Sequence, residues 1–279
     1  MNEEVLIIIS TSIIILMVVI ILFKSLRGIH ENIELDTPSY IVFTTIPSRL
    51  RTQWFKENLS RRIKLAGNSV VVLNVPYKSL KGEDYIIPDE VSSLQGPNFM
   101  ILRCPKDLGP ITKIIPILET VTIPDRAIIM VCDDDIRYRS ATFSLLKESI
   151  IKNPEAISSM CLPFEGNFDE IAGYTGYGFI KKTMKGLTSL DIPKACQRID
   201  DDVIQQYVKY HKIKVVVVKY PGHFTGKQTD SLGNYGWAGC SGYTTPIEPH
   251  PEWEELRSDN RTEIRKNCIP LLRKNLALK

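Results

Sequence analysis

The chain has 279 residues, of which 43% are hydrophobic and 24% charged, with a formal charge of +3. That is an ordinary globular composition, long enough for one large α/β domain. The small charge, with no Lys/Arg cluster interleaved with aromatics, excludes the nucleic-acid-binding class. The six cysteines, Cys104, Cys132, Cys161, Cys196, Cys240 and Cys268, form no Cys-x-x-Cys pair, which argues against a zinc site. An even count permits disulfides without showing any, and Cys132 and Cys161 fall in apolar runs that read as core.

After a short tail at residues 1–4, residues 5–23 are almost wholly apolar and carry no charge. A run of this length predicts a transmembrane helix. No small-residue cleavage pattern follows, so the expectation is a retained signal-anchor and a single-pass membrane protein. Lys24 and Arg27 beyond the span favour a cytosolic body. The sequons at Asn58 and Asn260 favour a lumenal one. Residues 24–39 read as a polar linker, and residues 40–279 as the body.

The body opens with a predicted strand over 40–46, broken at Pro47 and followed by Arg49. Apolar residues at helical spacing (Trp54, Phe55, Leu59, Ile63, Leu65) predict a helix over 51–66, ended by Gly67-Asn68. Strands are predicted at 69–75 and 99–103, with an irregular polar stretch between them. A turn over 106–113 leads into a helix at 114–120. Then come a strand from Ala127 ending in Asp133-Asp134-Asp135, a helix over 140–152 and a strand over 157–162. This alternation predicts an α/β fold with a mainly parallel central sheet flanked by helices.

Asp133, Asp134 and Asp135 follow a short apolar run that reads as a strand buried on both faces. They sit where open α/β sheets bind ligands, beyond the carboxyl ends of the strands. Three adjacent carboxylates repel one another unless a cation joins them, and hard oxygen ligands suit Mg²⁺ or Mn²⁺. The plainer reading is a solvated acidic turn that caps the next helix.

The second half is less regular. Residues 171–180 are rich in glycine and tyrosine. They read either as a surface for a flat ligand such as a sugar ring or as an edge strand whose glycines allow close backbone contact. Asp200, Asp201 and Asp202 open a helix that runs to His211, and a strand is predicted over 213–219. The remainder carries many Gly, Pro and aromatic residues and ends in a short basic helix.

Four pieces in order resemble the GT-A class of nucleotide-sugar-dependent glycosyltransferases, in its family 2-like or exostosin-like branches. They are Phe43-Thr44-Thr45-Ile46-Pro47-Ser48-Arg49 after the first strand; Asp107-Leu108-Gly109-Pro110-Ile111-Thr112-Lys113; Asp133-Asp134-Asp135-Ile136-x-Tyr138, similar to the Asp-x-Asp (DXD) motif; and Asp201-Asp202-Val203-Ile204. The likeness spans about residues 40–225, and an amino-terminal single-span anchor is also usual in the class. Golgi members of the class have a lumenal body.

The resemblance implies a Rossmann-like GT-A fold, with a nucleotide-binding half at 40–138 and an acceptor-side half at 139–279. It implies a divalent-metal-dependent glycosyltransferase that moves a sugar from a nucleotide-diphosphate donor to a hydroxyl on a glycan, lipid or protein acceptor. Asp133 and Asp135 would hold Mn²⁺ or Mg²⁺ against the diphosphate. His223 is a candidate third metal ligand, with His250 a weaker rival. Thr44, Thr45, Arg49, Asp107 and Lys113 are the candidate nucleotide-sugar contacts, and Asp134 is placed to face the ribose or the sugar. Asp202, with Asp201 beside it, is the candidate catalytic carboxylate, a base toward the acceptor hydroxyl in an inverting enzyme. For Asp200 to Asp202 the plainer reading is helix capping.

Two other readings remain open. One is a nucleotidyltransferase or phosphotransferase that uses the Asp cluster with Mg²⁺, against which no glycine-rich Walker loop is present. The other is a non-catalytic membrane-tethered carbohydrate-binding protein.

Overall fold

Eleven strands are seen among the described residues: β1 (Ser39–Phe43), β2 (Val70–Pro76), β3 (Phe99–Cys104), β4 (Ile128–Val131), β5 (Ile136–Tyr138), β6 (Ile157–Met160), β7 (Tyr177–Ile180), β8 (Val215–Val218), β9 (Gln228–Thr229), β10 (Tyr235–Gly236) and β11 (Tyr243–Pro246). The structure is a computed structural model that describes residues 15–21, 37–160, 171, 173–219, 228–229, 235–236, 243–246 and 258–278. Seven strands make one sheet in the order β3-β2-β1-β4-β7-β6-β8. Six of them run parallel, and β7 alone is antiparallel, paired with β4 on one side and β6 on the other. Two small ribbons pair β9 with β10 and β5 with β11.

The helices are α1 (Pro47–Leu50), α2 (Gln53–Leu65), α3 (Asp89–Ser92), α4 (Ile115–Glu119), α5 (Thr142–Lys152), α6 (Lys181–Met184), α7 (Asp200–Tyr210) and α8 (Ser258–Ala277). The period-2 geometry of the strands sorts their side chains onto two faces. Ile41, Phe43, Ile128 and Met130 pack with Phe55 and Leu59 of α2 and with Leu146 and Ile150 of α5. Val42, Ile129 and Val131 pack on the other face with Ile117 of α4, Val203 and Ile204 of α7, and Leu272 of α8. A sheet covered on both faces has strands that are apolar throughout, as β4 is, with all four residues fully buried.

The predicted mixed α/β fold with a mainly parallel sheet is the fold found. The strand read as a possible edge is corrected. Tyr177–Ile180 lies inside the sheet, between β4 and β6. Gly178 explains why a glycine stands there, since a Cβ would meet Ile129 O and Ile150 Cδ1, both at 2.7 Å.

Contacts divide the chain into two units, Met1–Thr37 and Pro38–Lys279. In the first, the described part of the apolar stretch is a helix at residues 15–21. Among the described residues no helix is long and apolar enough to cross a membrane. The expected single-pass anchor, and with it the membrane partner and the question of body side, is corrected on that finding.

Cys196 and Cys268 are joined as a disulfide, while Cys104 and Cys132 are free and buried. Cys161 and Cys240 lie outside the described residues. Asn58, read as a glycosylation site, is buried on α2 and uses its side chain internally.

Candidate active site

β4 delivers Asp133, Asp134 and Asp135 to the carboxyl edge of the parallel strands, and the three side chains part company there. Asp134 is driven inward. It accepts hydrogen bonds from Thr45 Oγ1 at 2.5 Å and from Arg49 Nη1 at 2.6 Å. Asp133 and Asp135 keep more contact with solvent, their side chains 29% and 14% exposed against 7% for Asp134. Arg49 also reaches Asp135, Nη2 to Oδ2 at 3.3 Å. Burial, then Asp134 and Asp133, push the Asp135 carboxyl up to about 7, with Arg49 opposing. Thr45 and Arg49 come from the segment after β1, and Pro47 at the start of α1 fixes the backbone between them.

The backbone under these carboxylates is held by α2, through two residues that the sequence motifs missed. Asn58 Nδ2 donates to Asp134 O at 2.6 Å and to Ile136 O at 3.2 Å. Arg62 Nη2 donates to Asp133 O at 2.6 Å, and its guanidinium lies 4.2 Å from the Phe43 ring centroid. Asn58 and Arg62 are four apart, on the face that also buries Phe55 and Leu59. A polar pair at helical spacing inside an apolar stripe is the signal that could have found them.

Lys113 joins the two halves of the chain. It ends a short 3₁₀ turn, Ile111–Lys113, whose position is set by Asp107. Asp107 accepts from Gly109 N at 2.8 Å and Leu80 N at 2.9 Å, so its side chain is committed to the turn. Thr44 is likewise committed, donating to Asn74 O at 2.7 Å, and Asn74 Nδ2 donates to Lys113 O at 2.8 Å. The buried Lys113 Nζ donates to Asp133 Oδ1 at 2.6 Å and makes an ion contact with Asp200 Oδ2 at 2.7 Å. Burial alone would lower its pKa, but Asp133, Asp200 and Asp201 outweigh burial and hold it well above the usual lysine range.

The three carboxylates that open α7 also separate. Asp200 meets Lys113. Asp201 Oδ1 accepts from Gly173 N at 2.9 Å. Asp202 meets Arg265 of α8, whose Nε lies 2.9 Å from Oδ1 and 3.0 Å from Oδ2. Asp201 is the most exposed of the three, and it belongs to the electrostatic neighbourhood of Lys113 and Asp133. Burial, then Asp200, push its carboxyl up to about 8, with Lys113 opposing. Gly173 is squeezed into this junction: a Cβ there would lie 2.6 Å from Lys113 Nζ and 2.7 Å from Asp133 Oδ1. Tyr138 closes the circle, donating to Gly173 O at 3.0 Å and accepting from Asp133 N at 2.9 Å.

Asp133, Asp200, Asp201 and Lys113 therefore meet at one edge of the sheet, with Asp135 beside Asp133 and turned to Arg49. Thr45, Arg49 and Asp134 form a buried group beneath it. His223 and His250 lie outside the described residues. Among the described residues no group of three or more His, Cys, Asp or Glu side chains is placed to hold a metal ion.

No known protein-family model matches the sequence, and no curated protein matches it. Among solved structures the chain is similar to a 4-diphosphocytidyl-2C-methyl-D-erythritol synthase, with a TM-score of 0.50 and 11% identity, covering 79% of this chain and 97% of that one. It is also matched to a CMP:2-keto-3-deoxy-manno-octonic acid synthetase complexed with CTP, with a TM-score of 0.47 and 11% identity, covering 81% of this chain and 100% of that one. The fold is thus of the Rossmann-like α/β class. The likeness is not specific to glycosyltransferases.

Proposed function

We propose that the chain is a nucleotide-dependent transferase, and that the group it moves is a glycosyl group passed from a nucleoside-diphosphate donor to an acceptor hydroxyl. Residues 40–138 supply the nucleotide side and residues 139–279 the acceptor side. One observation carries the reading: two acidic clusters from separate halves of the chain meet at a single buried lysine, Lys113.

The charges favour a divalent ion. Among the described residues, six carboxylates (Asp133 to Asp135 and Asp200 to Asp202) stand against Arg49, Arg62, Lys113 and Arg265. Arg62 is bonded to a backbone carbonyl rather than to a carboxylate, and the Asp135 and Asp201 carboxyls, raised to about 7 and about 8 chiefly by burial, are where a bound cation would draw a proton away. Asp133 and Asp135 fit such an ion, with nucleotide oxygens and water completing its shell. When bound, the ion would neutralise the diphosphate as it departs.

The protein's own groups supply the rest. Asn58 and Arg62 fix the backbone that presents Asp133 and Asp135. Arg49 and Thr45 hold Asp134 as a buried anchor rather than as a sugar contact. Lys113 keeps Asp133 and Asp200 from repelling each other. Of the pair named from the sequence, we assign the acceptor-side base to Asp201. It is the least buried of the three and accepts from Gly173 N–H, whereas Asp202 is engaged by Arg265. Asp201 Oδ2 would take the proton as the acceptor hydroxyl attacks.

Nucleotidyl transfer is the second reading, favoured by the name of the synthase with the similar fold. The two separate in one experiment. The purified chain is given Mn²⁺ with a panel of nucleotide sugars, or with nucleoside triphosphates and sugar phosphates. Release of nucleoside diphosphate supports the proposal, release of pyrophosphate replaces it with the alternative, and binding without turnover overturns both.

A further inference from the structure

The acidic first turn of α7 is tied to the far end of the chain as well as to Lys113 and Gly173. On α8, Arg265, Cys268, Leu272 and Leu276 fall three and four residues apart, so they share one face. Cys268, Leu272 and Leu276 are buried in the core that also holds Val203, Ile204 and Tyr207 of α7. Cys268 is bonded to Cys196 across 72 residues of sequence. Cys196 ends the 3₁₀ turn Lys194–Cys196, and α7 begins four residues later. The covalent link and the Arg265–Asp202 ion pair therefore bracket the same short segment. That segment also leans on the lysine turn: Gly109 packs so closely on Gln197 O that a Cβ would lie 1.9 Å from it.

Successive residues of a helix point about 100° apart. Asp200, Asp201 and Asp202 thus aim in three directions, and each is met by a different element: Lys113, Gly173 N–H and Arg265. The rotation of the turn about the helix axis is set by all three at once. Asp202 is buried, so losing its cation favours a rotation that hydrates its carboxylate. Such a rotation carries Asp201 away from Gly173.

We propose that Arg265 is a positioning residue for the acceptor side of the site, acting through Asp202 on Asp201, and that the Cys196–Cys268 disulfide holds Arg265 in register. The proposal rests on Asp201 being the acceptor-facing carboxylate. It makes α8, far from the nucleotide motifs in sequence, a working part of the site.

The experiment compares Arg265→Met, Arg265→Lys and the double variant Cys196→Ala/Cys268→Ala with wild type, using the full chain. Hydrogen exchange is followed at the first-turn amides of α7 and at Gly173, with the β1 and β4 amides as the check on folding. Transfer is followed as kcat and donor KM. Arg265→Met is expected to speed exchange at Gly173 and the α7 turn while β1 and β4 stay protected. It should lower kcat about tenfold with donor KM within about twofold. Arg265→Lys should recover part of both, and the disulfide variant should move the same amides. Unchanged exchange at Gly173 in Arg265→Met overturns the proposal, as does a loss of kcat matched by an equal loss of donor binding. If wild type shows no transfer, the reading of function fails by itself, and the exchange data still decide the position of Arg265.

Discussion

Asp134→Asn should cost stability rather than chemistry. In the native structure Asp134 is a buried carboxylate that receives Thr45 Oγ1 on one oxygen and Arg49 Nη1 on the other. Asparagine keeps the shape but removes the charge, leaving the buried Arg49 with Asp135 at 3.3 Å as the carboxylate it reaches. Breaking a buried pair from one side costs about 3–5 kcal/mol. Asp135 offsets part of this, which puts the expected loss at about 3 kcal/mol. For a domain of this size each kcal/mol moves Tm by roughly 2–4 °C, so the variant should melt about 6–12 °C lower. Circular dichroism melting at pH 7, with urea denaturation to check that the m-value is unchanged, measures it. Asp135→Asn is the control, since its carboxylate is already disfavoured, and it should melt close to wild type. An Asp134→Asn protein that melts within about 2 °C of wild type would refute the anchoring role and return Asp134 to the list of ligand contacts.

Four further outcomes follow from the same geometry. Asp201 has a raised folded pKa, so its contribution to stability is full below the unfolded value near pH 4 and is lost as pH rises through about 8. Asp201→Asn should therefore gain on wild type in Tm at pH 8 and not at pH 4, and an equal difference at both ends would contradict the assignment. Gly109→Ala combines a left-handed backbone, φ +74°, with a backbone clash at Gln197, and should cost at least about 2 kcal/mol. Gly67→Ala, at φ +58° but with open space around it, should cost about 1 kcal/mol in the same melting assay. Asn58→Ala removes the support of Asp134 O and Ile136 O and should weaken Mn²⁺ binding by about 10–100-fold in calorimetry with a nucleoside diphosphate. Unaltered affinity would detach α2 from the site.

The sheet was legible because its strands are short apolar runs between punctuating residues. The predicted starts and ends of β1 to β4 fall within a few residues of those found. The direction of β7 was not legible, because pairing partners are distant in sequence and a Gly/Tyr run has no period that reports them. The meeting of Asp133 with Asp200 was half visible: both clusters stand out, but the lysine that joins them depends on a turn built by Asp107, Gly109 and Thr112. Asn58 and Arg62 were hidden by being ordinary polar residues on an amphipathic helix, where only their placement inside the apolar stripe sets them apart. The contact of Arg265 with Asp202 spans 63 residues of sequence, and nothing in the acidic motif announces it.

The reversed direction of β7 bears on how such a protein can diversify. Because β7 runs against β6, the register that pairs Ser159 with Tyr177 brings the end of one strand beside the start of the next, on the edge where β4 delivers Asp133. The chain therefore leaves the sheet after Met160 and returns to it at Tyr177 on one edge, and a change of length between the two strands leaves the strand order as it is. Gly173 limits that freedom, because a Cβ there would fall 2.6 Å from Lys113 Nζ and 2.7 Å from Asp133 Oδ1 and would have to displace the ion pair.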